Sequence, residues 1–389
     1  MRSVRRPATL FVSGAAFGCL AIAWLGCSFQ PPELAGPDVG VCSDGRLEVR
    51  EVVIDNAELV ASIEGFPVLL ALDSTSIDYA LTRDDGSDLC FEQLATGVVV
   101  PHEIERWDES GVSRVWVQVP VIEARDGPAA RLAMYYGGAG AAATAVAKAN
   151  PALWRDSYVS VHHFTDRVTD GVTDGIADGD VLADVSGRGH DGVSPGVDQQ
   201  PSPTDGRIAG GVLFDGQDDQ IELPVEGDFD FSDSMSVSTW FRVDRFSKAW
   251  QAIVTKGDDA WRVQRLAETG QLTFDVDWEQ GGETVCTGTQ PIDDRMWHHL
   301  GVTFDGVETR LYVDGQLDCT QTFDRRALRD TDHAVLIGNN SQTGGRNFEG
   351  AIDEVRISSR NRSEAWMYAE YATVAVEGFV KVGDPQPAN

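Results

Sequence analysis

The fold is decided by residues 297–357, which begin WHHLGVTFDGVETRLYVDGQ and end GAIDEVRI. Leu300, Val302 and Phe304 alternate with small or polar neighbours, and this period of two predicts a strand with one buried face. The Asp-Gly pair at 314–315 separates the next two apolar runs and supplies the positive φ angles of a two-residue hairpin turn. Short strands joined by tight turns predict an all-β meander.

The composition is that of an acidic globular protein. The chain has 389 residues, 42% of them apolar, which can fill the cores of two or three domains. Its formal net charge is −31, so the basic surface that nucleic acid requires is not expected, and nucleic acid is disfavoured as a partner. Most acidic residues are expected to lie on solvated surface.

The first 26 residues have the pattern of a secretory signal peptide. Three arginines precede an apolar stretch from Leu10 to Leu25, which is short for a membrane-spanning helix. The Gly26-Cys27 that follows resembles the lipobox of bacterial lipoproteins. This resemblance implies a lipid anchor on Cys27 and a place in the bacterial cell envelope, at the outer membrane or cell surface. The alternative is an ordinary signal peptide with an incidental cysteine.

The chain contains six cysteines, two of which fall within the signal or at its end. The other four would sit in an oxidising compartment, where they can form disulfides in three alternative pairings. We favour Cys42–Cys90 with Cys286–Cys319, because this pairing needs no contact between domains. No spacing resembles Cys-x-x-Cys, which disfavours a zinc or redox site of that kind.

Residues 27–153 predict a tether, one domain and a linker. Proline and glycine are frequent in 27–44, as in an extended tether. Residues 45–137 contain several short apolar runs typical of a β-sandwich-like domain; in one of them Val115, Val117 and Val119 share a face. Residues 138–153 are rich in glycine and alanine and predict a linker.

The first domain resembles an uncharacterised bacterial envelope family that often directly precedes a laminin-G-like module. The matching phrases are FPV (66–68), DGSDLCF (85–91), PHEIERWD (101–108), VWVQVP (115–120) and MYYG (134–137). Within the C-terminal tail, 374–389, FVKVG (379–383) resembles the ending seen when the two modules occur together. The resemblance implies a β-sandwich-like module without an assigned chemistry.

Residues 154–373 resemble the laminin-G-like, concanavalin A-like lectin/glucanase jelly roll. The resemblance is carried by DVSGRGHDG (184–192), GVLFDG (211–216), IG (337–338) and GAIDEV (350–355). It implies two stacked antiparallel sheets, in a family that usually binds ligands and only sometimes cleaves them. Ser363 is expected to cap a short C-terminal helix over 364–371.

One acidic strand is a candidate for catalysis. Asp275, Asp277 and Glu279 share a face if the strand continues to 279, and laminarinase-type glycosidases of this fold use a similar trio. Retaining chemistry needs two carboxyl groups about 5–5.5 Å apart. Asp275 is one methylene shorter than the glutamate expected there, so a solvated acidic strand end is favoured over catalysis.

A structural calcium ion is a further expectation from the resemblance. Jelly rolls of this group often use an aspartate on a late strand, a position that Asp353 resembles, and Asp215 could lie near it. The alternative is that Asp353 hydrogen-bonds a neighbouring loop. The histidine pairs 162–163 and 298–299 do not chelate on their own, because adjacent strand residues face opposite sides.

Two tryptophans are candidate ligand platforms. Trp250 and Trp278 lie in the variable middle of the second module, where binding loops are expected. An indole face suits the apolar face of a sugar, although large aromatic residues are more often part of a core.

The sequence therefore predicts an all-β protein, with an N-terminal β-sandwich-like domain followed by a jelly roll. The expected function is non-catalytic binding or adhesion at the cell surface, with a polysaccharide, a glycan or a surface protein as the partner. The alternatives are a glycoside hydrolase using Asp275 and Glu279, and a purely structural envelope protein.

Overall fold

The computed structural model describes residues 42–138, 150–154, 157–165 and 182–388. The signal peptide, Cys27, most of the tether and residues 139–149 of the linker lie outside these ranges. The described residues belong to one compact unit, Val39–Asn389. None of the helices in them has the length and apolar character needed to cross a bilayer.

The N-terminal part is a sandwich of two antiparallel sheets. Its strands are β1 (Glu48–Ile54), β2 (Ile63–Leu72), β3 (Cys90–Gln93), β4 (Val98–Val100), β5 (His102–Arg106), β6 (Ser113–Ile122) and β7 (Ala130–Tyr136). One sheet has the order β1-β7-β3-β4 and the other β2-β6-β5. Val115, Val117 and Val119 are all fully buried, as their alternation along β6 predicts.

The jelly roll consists of two larger antiparallel sheets. Its strands are β8 (Tyr158–His162), β9 (Ser202–Asp205), β10 (Gly210–Asp215), β11 (Ile221–Leu223), β12 (Met235–Val243), β13 (Ala252–Thr255), β14 (Trp261–Arg265), β15 (Leu272–Asp277), β16 (Glu283–Thr287), β17 (Trp297–Phe304), β18 (Glu308–Val313), β19 (Gln316–Thr322), β20 (Val335–Ile337) and β21 (Glu349–Ser358). One sheet runs β19-β18-β17-β12-β21-β10-β9, with β8 also paired to β21, and the other runs β11-β20-β13-β14-β15-β16. A single apolar core, including Phe214, Phe241 and Phe274, fills the space between them.

The C-terminal segment returns to the N-terminal sandwich. Residues of β22 (Val380–Val382) and β23 (Gln386–Pro387) both pair with β1, so that Val53 lies opposite Lys381. Phe379 is buried just before β22. The segment expected to be a tail thus forms the edge of the first sheet. Strands of only two or three residues are too short to show an alternating pattern in the sequence, so the sequence does not predict this pairing.

Two short helices complete the fold, α1 (Pro151–Trp154) and α2 (Glu364–Ala375). Ser363 caps α2 as predicted, since its hydroxyl accepts a hydrogen bond from the Trp366 amide at 3.2 Å. The helix continues past residue 371, where Thr373 Oγ1 accepts a hydrogen bond from the Leu69 amide of β2 at 2.8 Å. This contact attaches α2 to the N-terminal sandwich.

Both predicted disulfides are present. Cys42 is joined to Cys90, and Cys286 is joined to Cys319. The second bond connects β16 with β19, which are edge strands of the two opposing jelly-roll sheets. It therefore closes one side of the jelly roll.

The two sandwiches pack directly against each other. One continuous apolar cluster contains Val68 and Trp116 from the first sandwich together with Tyr158, Val161 and Trp366 from the second part of the chain. Because Trp116 points away from Val115 and Val117 along β6, the sheet β2-β6-β5 is covered on both faces.

Candidate ligand-binding groove

The outer face of the six-stranded jelly-roll sheet is polar. Along β14, Trp261 and Val263 point into the core, which places Arg262 and Gln264 on the outer face. On the neighbouring strand β15 the same alternation places Asp275 and Asp277 on this outer face. Phe274 and Val276 point into the core. Polar residues on two adjacent strands thus form one continuous surface.

This surface is the base of a groove with a volume of about 500 Å³. The loops before β14 and before β21 form its rim, and Trp250 forms part of its wall. The charged groups of the lining are five carboxylates and two guanidinium groups: Asp258, Asp259, Asp275, Asp277, Glu283, Arg262 and Arg346.

Arg262 organises the base of the groove. Its Nη1 donates to Asp277 Oδ2 at 2.8 Å, and its Nη2 donates to Glu283 Oε2 at 2.9 Å. Its Nε lies 3.3 Å from Asp275 Oδ2. Asp277 and Glu283 are directly opposite each other on β15 and β16, a like-charge pair that is unfavourable without a cation. Arg262 supplies that cation.

Burial and charge act in opposite directions on these groups. Burial would lower the pKa of Arg262, but Asp275 and Asp277 raise it above its ordinary value. Burial raises the pKa of Asp275, and Arg262 opposes that shift. The pKa of Asp277 is also raised by burial against the effect of Arg262. The groove base is therefore a tightly paired ionic layer.

Arg346 fixes the rim of the groove. Its Nη2 donates to Asp258 Oδ2 at 2.9 Å, and its Nη1 donates to Gln264 Oε1 at 2.9 Å. Asp258 also accepts a hydrogen bond from Asn340 Nδ2 at 3.0 Å. These contacts hold two loops against the sheet, so the opening of the groove is shaped before any ligand arrives.

Trp250 is half-buried in the groove wall, which is compatible with the predicted role as a ligand platform. Its backbone has a φ of 60°, a left-handed conformation that costs a non-glycine residue about 1 kcal/mol. The Trp250 amide donates to the carbonyl of Ala267 at 3.1 Å, which helps to hold that conformation. Strained backbone of this kind is concentrated at functional sites.

The prediction that Trp278 is an exposed ligand platform is wrong. Trp278 is fully buried, and its ring packs 4.6 Å from the ring of Phe323. The reason is the strand period: Phe274 and Val276 point inward from β15, and Trp278, two residues further along, points into the same core.

The acidic trio is only partly assembled. Asp275 and Asp277 share the groove face as predicted, but β15 ends at Asp277. Glu279 is exposed beyond the strand, where its amide donates to Ala327 O at 3.2 Å, and it does not line the groove. The carboxylate that joins the two aspartates is Glu283 of β16.

The structure does not bring Asp215 and Asp353 together. Asp215 pairs with Glu349 in the ladder of β10 and β21, so Asp353 lies four residues further along, at about 13 Å. Asp353 is fully buried and its Oδ2 accepts a hydrogen bond from the Ile208 amide at 3.0 Å. Asp353 therefore anchors a neighbouring loop. The prediction that Asp215 and Asp353 share one calcium ion is wrong.

Asp215 instead lies beside Asp218 and Asp219, with one oxygen of each within 4.8 Å of the others. Burial raises the pKa of Asp219 to about 6. The hydrogen bond from the Asp215 amide opposes this increase, while the Asp215 carboxylate adds to it. These three carboxylates, and not the pair of Asp215 and Asp353, are therefore the candidate calcium ligands.

A family model confirms the fold of the second sandwich. The laminin-G-like family of the concanavalin A-like lectin/glucanase superfamily matches residues 215–367. This part of the chain is thus a concanavalin A-like jelly roll. A search of curated proteins found no match.

Several solved structures are similar at low identity. They include the binding domain of Paraclostridial Mosquitocidal Protein 1 (15% identity, TM-score 0.45, 57% of this chain and 53% of that chain). Domain 4 of AbnA, a GH43 extracellular arabinanase from Geobacillus stearothermophilus, was solved in complex with arabinotriose (18% identity, TM-score 0.38, 55% of this chain and 98% of that chain). The binding domain of botulinum neurotoxin serotype D is a third similar structure (14% identity, TM-score 0.41, 56% of this chain and 51% of that chain). The chain spans about half the length of the first and third.

Proposed function

We propose that this protein is a non-catalytic carbohydrate-binding protein of the bacterial cell surface, and that the groove on the six-stranded sheet is its binding site. The observation that carries the proposal is the combination of a half-buried tryptophan with a polar, hydrogen-bonding base in one open groove. A concave site with an aromatic wall and a few fixed polar groups is the usual form of a small-ligand site.

The chemistry of the groove suits sugar hydroxyl groups, which both donate and accept hydrogen bonds. Carboxylates such as Asp259 and Glu283 accept, while the guanidinium of Arg346 and the amide of Gln264 donate. The face of Trp250 can cover the apolar face of a sugar ring. Because Arg262 and Arg346 already hold the base rigid, binding need not order these side chains.

The charge of the groove narrows the class of ligand. Five carboxylates against two guanidinium groups give a formal charge of −3 (two minus five) in the lining. A uronic-acid or sulfated polysaccharide would meet repulsion there. We therefore infer a neutral or amino-sugar-containing polysaccharide or glycan as the ligand, with a surface protein as the alternative partner.

The groove favours binding over hydrolysis. Glycoside hydrolysis needs two carboxyl groups placed on either side of the scissile bond, one of them free to donate a proton. Asp275 and Asp277 both lie against Arg262, and Glu279 lies outside the groove. The three acidic residues of the hydrolase alternative therefore do not converge on one point.

The proposed location follows from the N-terminal sequence. A basic segment, an apolar stretch and Gly26-Cys27 support export and lipid attachment at Cys27. Such an anchor would place the groove outside the cell, on an outer membrane or cell surface. Labelling of the protein with a radioactive or alkyne fatty acid in its host, with and without Cys27→Ser, tests this part of the proposal.

Affinity electrophoresis through gels containing neutral, amino-sugar or uronic-acid polysaccharides tests the binding class. We expect retardation by at least one neutral or amino-sugar polymer and none by the uronic-acid polymer. Release of reducing ends, lost in Asp275→Asn, would instead support the hydrolase alternative. Absence of retardation in every gel would contradict carbohydrate binding.

A further inference from the structure

A second cluster of chemically active groups is buried between the two sandwiches. It consists of Glu103 and Glu105 of β5, His163 just after β8, and Glu354 of β21, and we call it the interface cluster. All four residues are buried, with exposed fractions between 0% and 7%. The groove and the proposed ligand make no use of them.

The imidazole of His163 lies between carboxylates. His163 Nδ1 is 2.6 Å from Glu354 Oε1, and His163 Nε2 is 3.2 Å from Glu103 Oε1. One oxygen of Glu105 lies within 4.8 Å of ligating atoms of both His163 and Glu354. Neither His163 Nε2 nor Glu103 Oε1 makes an aligned hydrogen bond to any described residue. These two buried atoms face each other at ion-pair distance.

A surrounding layer of donors fixes the carboxylates. Trp154 Nε1 donates to Glu103 Oε2 at 2.8 Å, and Trp116 Nε1 donates to Glu105 Oε2 at 2.8 Å. Arg356 Nη2 donates to Glu354 Oε2 at 2.6 Å. Thr165 Oγ1 also donates to Glu105 Oε1 at 2.7 Å. These donors fix the orientation of the three glutamates, as outer-shell donors do for the ligands of metal sites.

The cluster also contains too much negative charge for its cations. Asp353 and Glu370 are buried nearby, which brings the carboxyl groups to five, counted with the three glutamates of the cluster. The buried cations are Arg356 and, when protonated, His163, with Arg114 half-buried near Glu105. The carboxyl groups outnumber these cations, and one divalent cation would offset the difference.

The backbone at Glu354 forms a β-bulge that directs its side chain into the interface cluster. The pairing of β21 with β12 shifts between Ser238 and Trp240, which marks a β-bulge, and Glu354 has a φ of 55° within it. The bulge interrupts the alternation of β21, so that Asp353 and Glu354 both point away from the jelly-roll core, which contains Ile352 and Val355. Asp353 then binds the Ile208 amide while Glu354 reaches His163. Bulges that re-aim side chains in this way are frequent beside functional sites.

We propose that the interface cluster binds one divalent transition-metal ion through His163 Nδ1, Glu105 and Glu354, and that this ion joins the two sandwiches. Glu103, which faces the other ring nitrogen, would orient the imidazole as an outer-shell carboxylate. A set of one imidazole and two carboxylates suits borderline ions such as Zn²⁺ or Mn²⁺. Calcium prefers sites made of oxygen atoms alone, so this site differs in kind from the calcium expected near Asp215. With its ligands on β5, β21 and the segment after β8, the ion is structural.

Metal analysis of the full chain tests the proposal. The protein is stripped with EDTA and dialysed, then offered Zn²⁺, Mn²⁺ or Co²⁺, and its metal content and melting temperature are measured. We expect one tightly held ion per chain, a higher melting temperature with Zn²⁺, and visible absorption bands with Co²⁺ from an ordered low-coordinate site. A protein that retains no ion and melts at the same temperature with and without these metals overturns the proposal.

Glu105→Gln is the informative variant, because it keeps the shape of the side chain and the acceptor for Trp116 Nε1. A bound metal predicts that this variant loses at least ~10-fold in Zn²⁺ affinity. Asp218→Asn, in the exposed acidic group, is the matched control and keeps wild-type stoichiometry. If Glu105→Gln binds Zn²⁺ like the wild type, or if Asp218→Asn loses the ion, the assignment is contradicted. Should Glu105→Gln fail to fold, the metal content and Co²⁺ spectrum of the wild type still decide.

Discussion

Arg262 on β14 donates from Nη1 to Asp277 Oδ2 at 2.8 Å, while its Nε lies 3.3 Å from the carboxylate of Asp275. One guanidinium therefore compensates two aspartates that are largely removed from solvent. Since Glu283 binds the same guanidinium, the ionic layer spans three adjacent strands. The positions of the Asp275, Asp277 and Glu283 carboxylates at the base of the groove depend on Arg262.

Arg262→Met should destabilise the protein by roughly 2–4 kcal/mol, because it leaves paired carboxylates with no cation while keeping the apolar stem. The exposure of Glu283 reduces the effect through solvent screening. Urea denaturation measures the change. Arg245→Gln is the control: its ion pair with Glu349 lies on the surface, so its loss should stay below about 1 kcal/mol. Equal losses in the two variants would show that the ionic layer does not stabilise the jelly roll.

Removal of the Cys286–Cys319 disulfide should cost about 4 kcal/mol in the chain-entropy account, given the 33 residues that separate the two cysteines. The bond joins edge strands of the two jelly-roll sheets, so its loss lets them separate on one side. The double variant Cys286→Ala/Cys319→Ala, compared with the wild type by urea denaturation, measures the effect. A loss below about 1 kcal/mol would mean that packing alone holds this edge.

The pair formed by His298 and Asp314 should make stability depend on pH. The hydrogen bond that His298 Nδ1 donates to Asp314 Oδ2, at 2.8 Å, raises the pKa of His298, while burial opposes it. Asp294, 3.1 Å from Nε2, adds to the increase. Since the folded pKa is raised, this stabilisation is complete below pH ~6.5 and is lost as the pH rises through the folded pKa.

We expect the loss to be about 1 kcal/mol, from denaturation curves measured across that window. In His298→Gln this part of the pH dependence should disappear. His333→Gln, at a half-buried histidine elsewhere in the jelly roll, should retain it. A His298→Gln profile that matches the wild type would show that the pair has no part in the pH response.

We predict that calcium binds the acidic group of Asp215, Asp218 and Asp219, in place of the pair of Asp215 and Asp353 expected from the sequence. If it binds, CaCl₂ added to EDTA-treated protein should raise the melting temperature, since a ligand of the folded state stabilises it by mass action. Asp215→Asn should remove the response, whereas Glu105→Gln should preserve it. A melting temperature that does not change with calcium would contradict the prediction.

Much of the fold could be predicted from the sequence, because strand periodicity and turn chemistry are local. The alternation of Leu300, Val302 and Phe304, the Asp-Gly turn at 314–315 and the cap at Ser363 all appear in the structure. The disulfides followed from domain order. The pairing of β22 and β23 with β1 could not be predicted, since it joins segments more than 300 residues apart.

The site was harder to predict because it combines residues from different strands. The strand period predicts that Asp275 and Asp277 share a face, but the cross-strand partner Arg262 lies opposite Asp275 in a register that only the folded sheet fixes. Trp278 was misplaced although its strand period already indicated the inward face. The interface cluster depends on contacts between β5, β21 and His163, so no local pattern in the sequence could reveal it.

The affinity of Trp250→Ala for the polysaccharide that binds the wild type tests the central claim most directly. The account predicts a loss of about 10-fold, since one aromatic contact contributes about 1 kcal/mol or more, with an unchanged melting temperature. Trp297→Ala is the matched control, because Trp297 is also half-buried but lies on the opposite sheet. The expected result is weak binding by Trp250→Ala alone, measured by isothermal titration calorimetry. Wild-type affinity in Trp250→Ala, or an equal loss in Trp297→Ala, would contradict the assignment of the groove as the binding site.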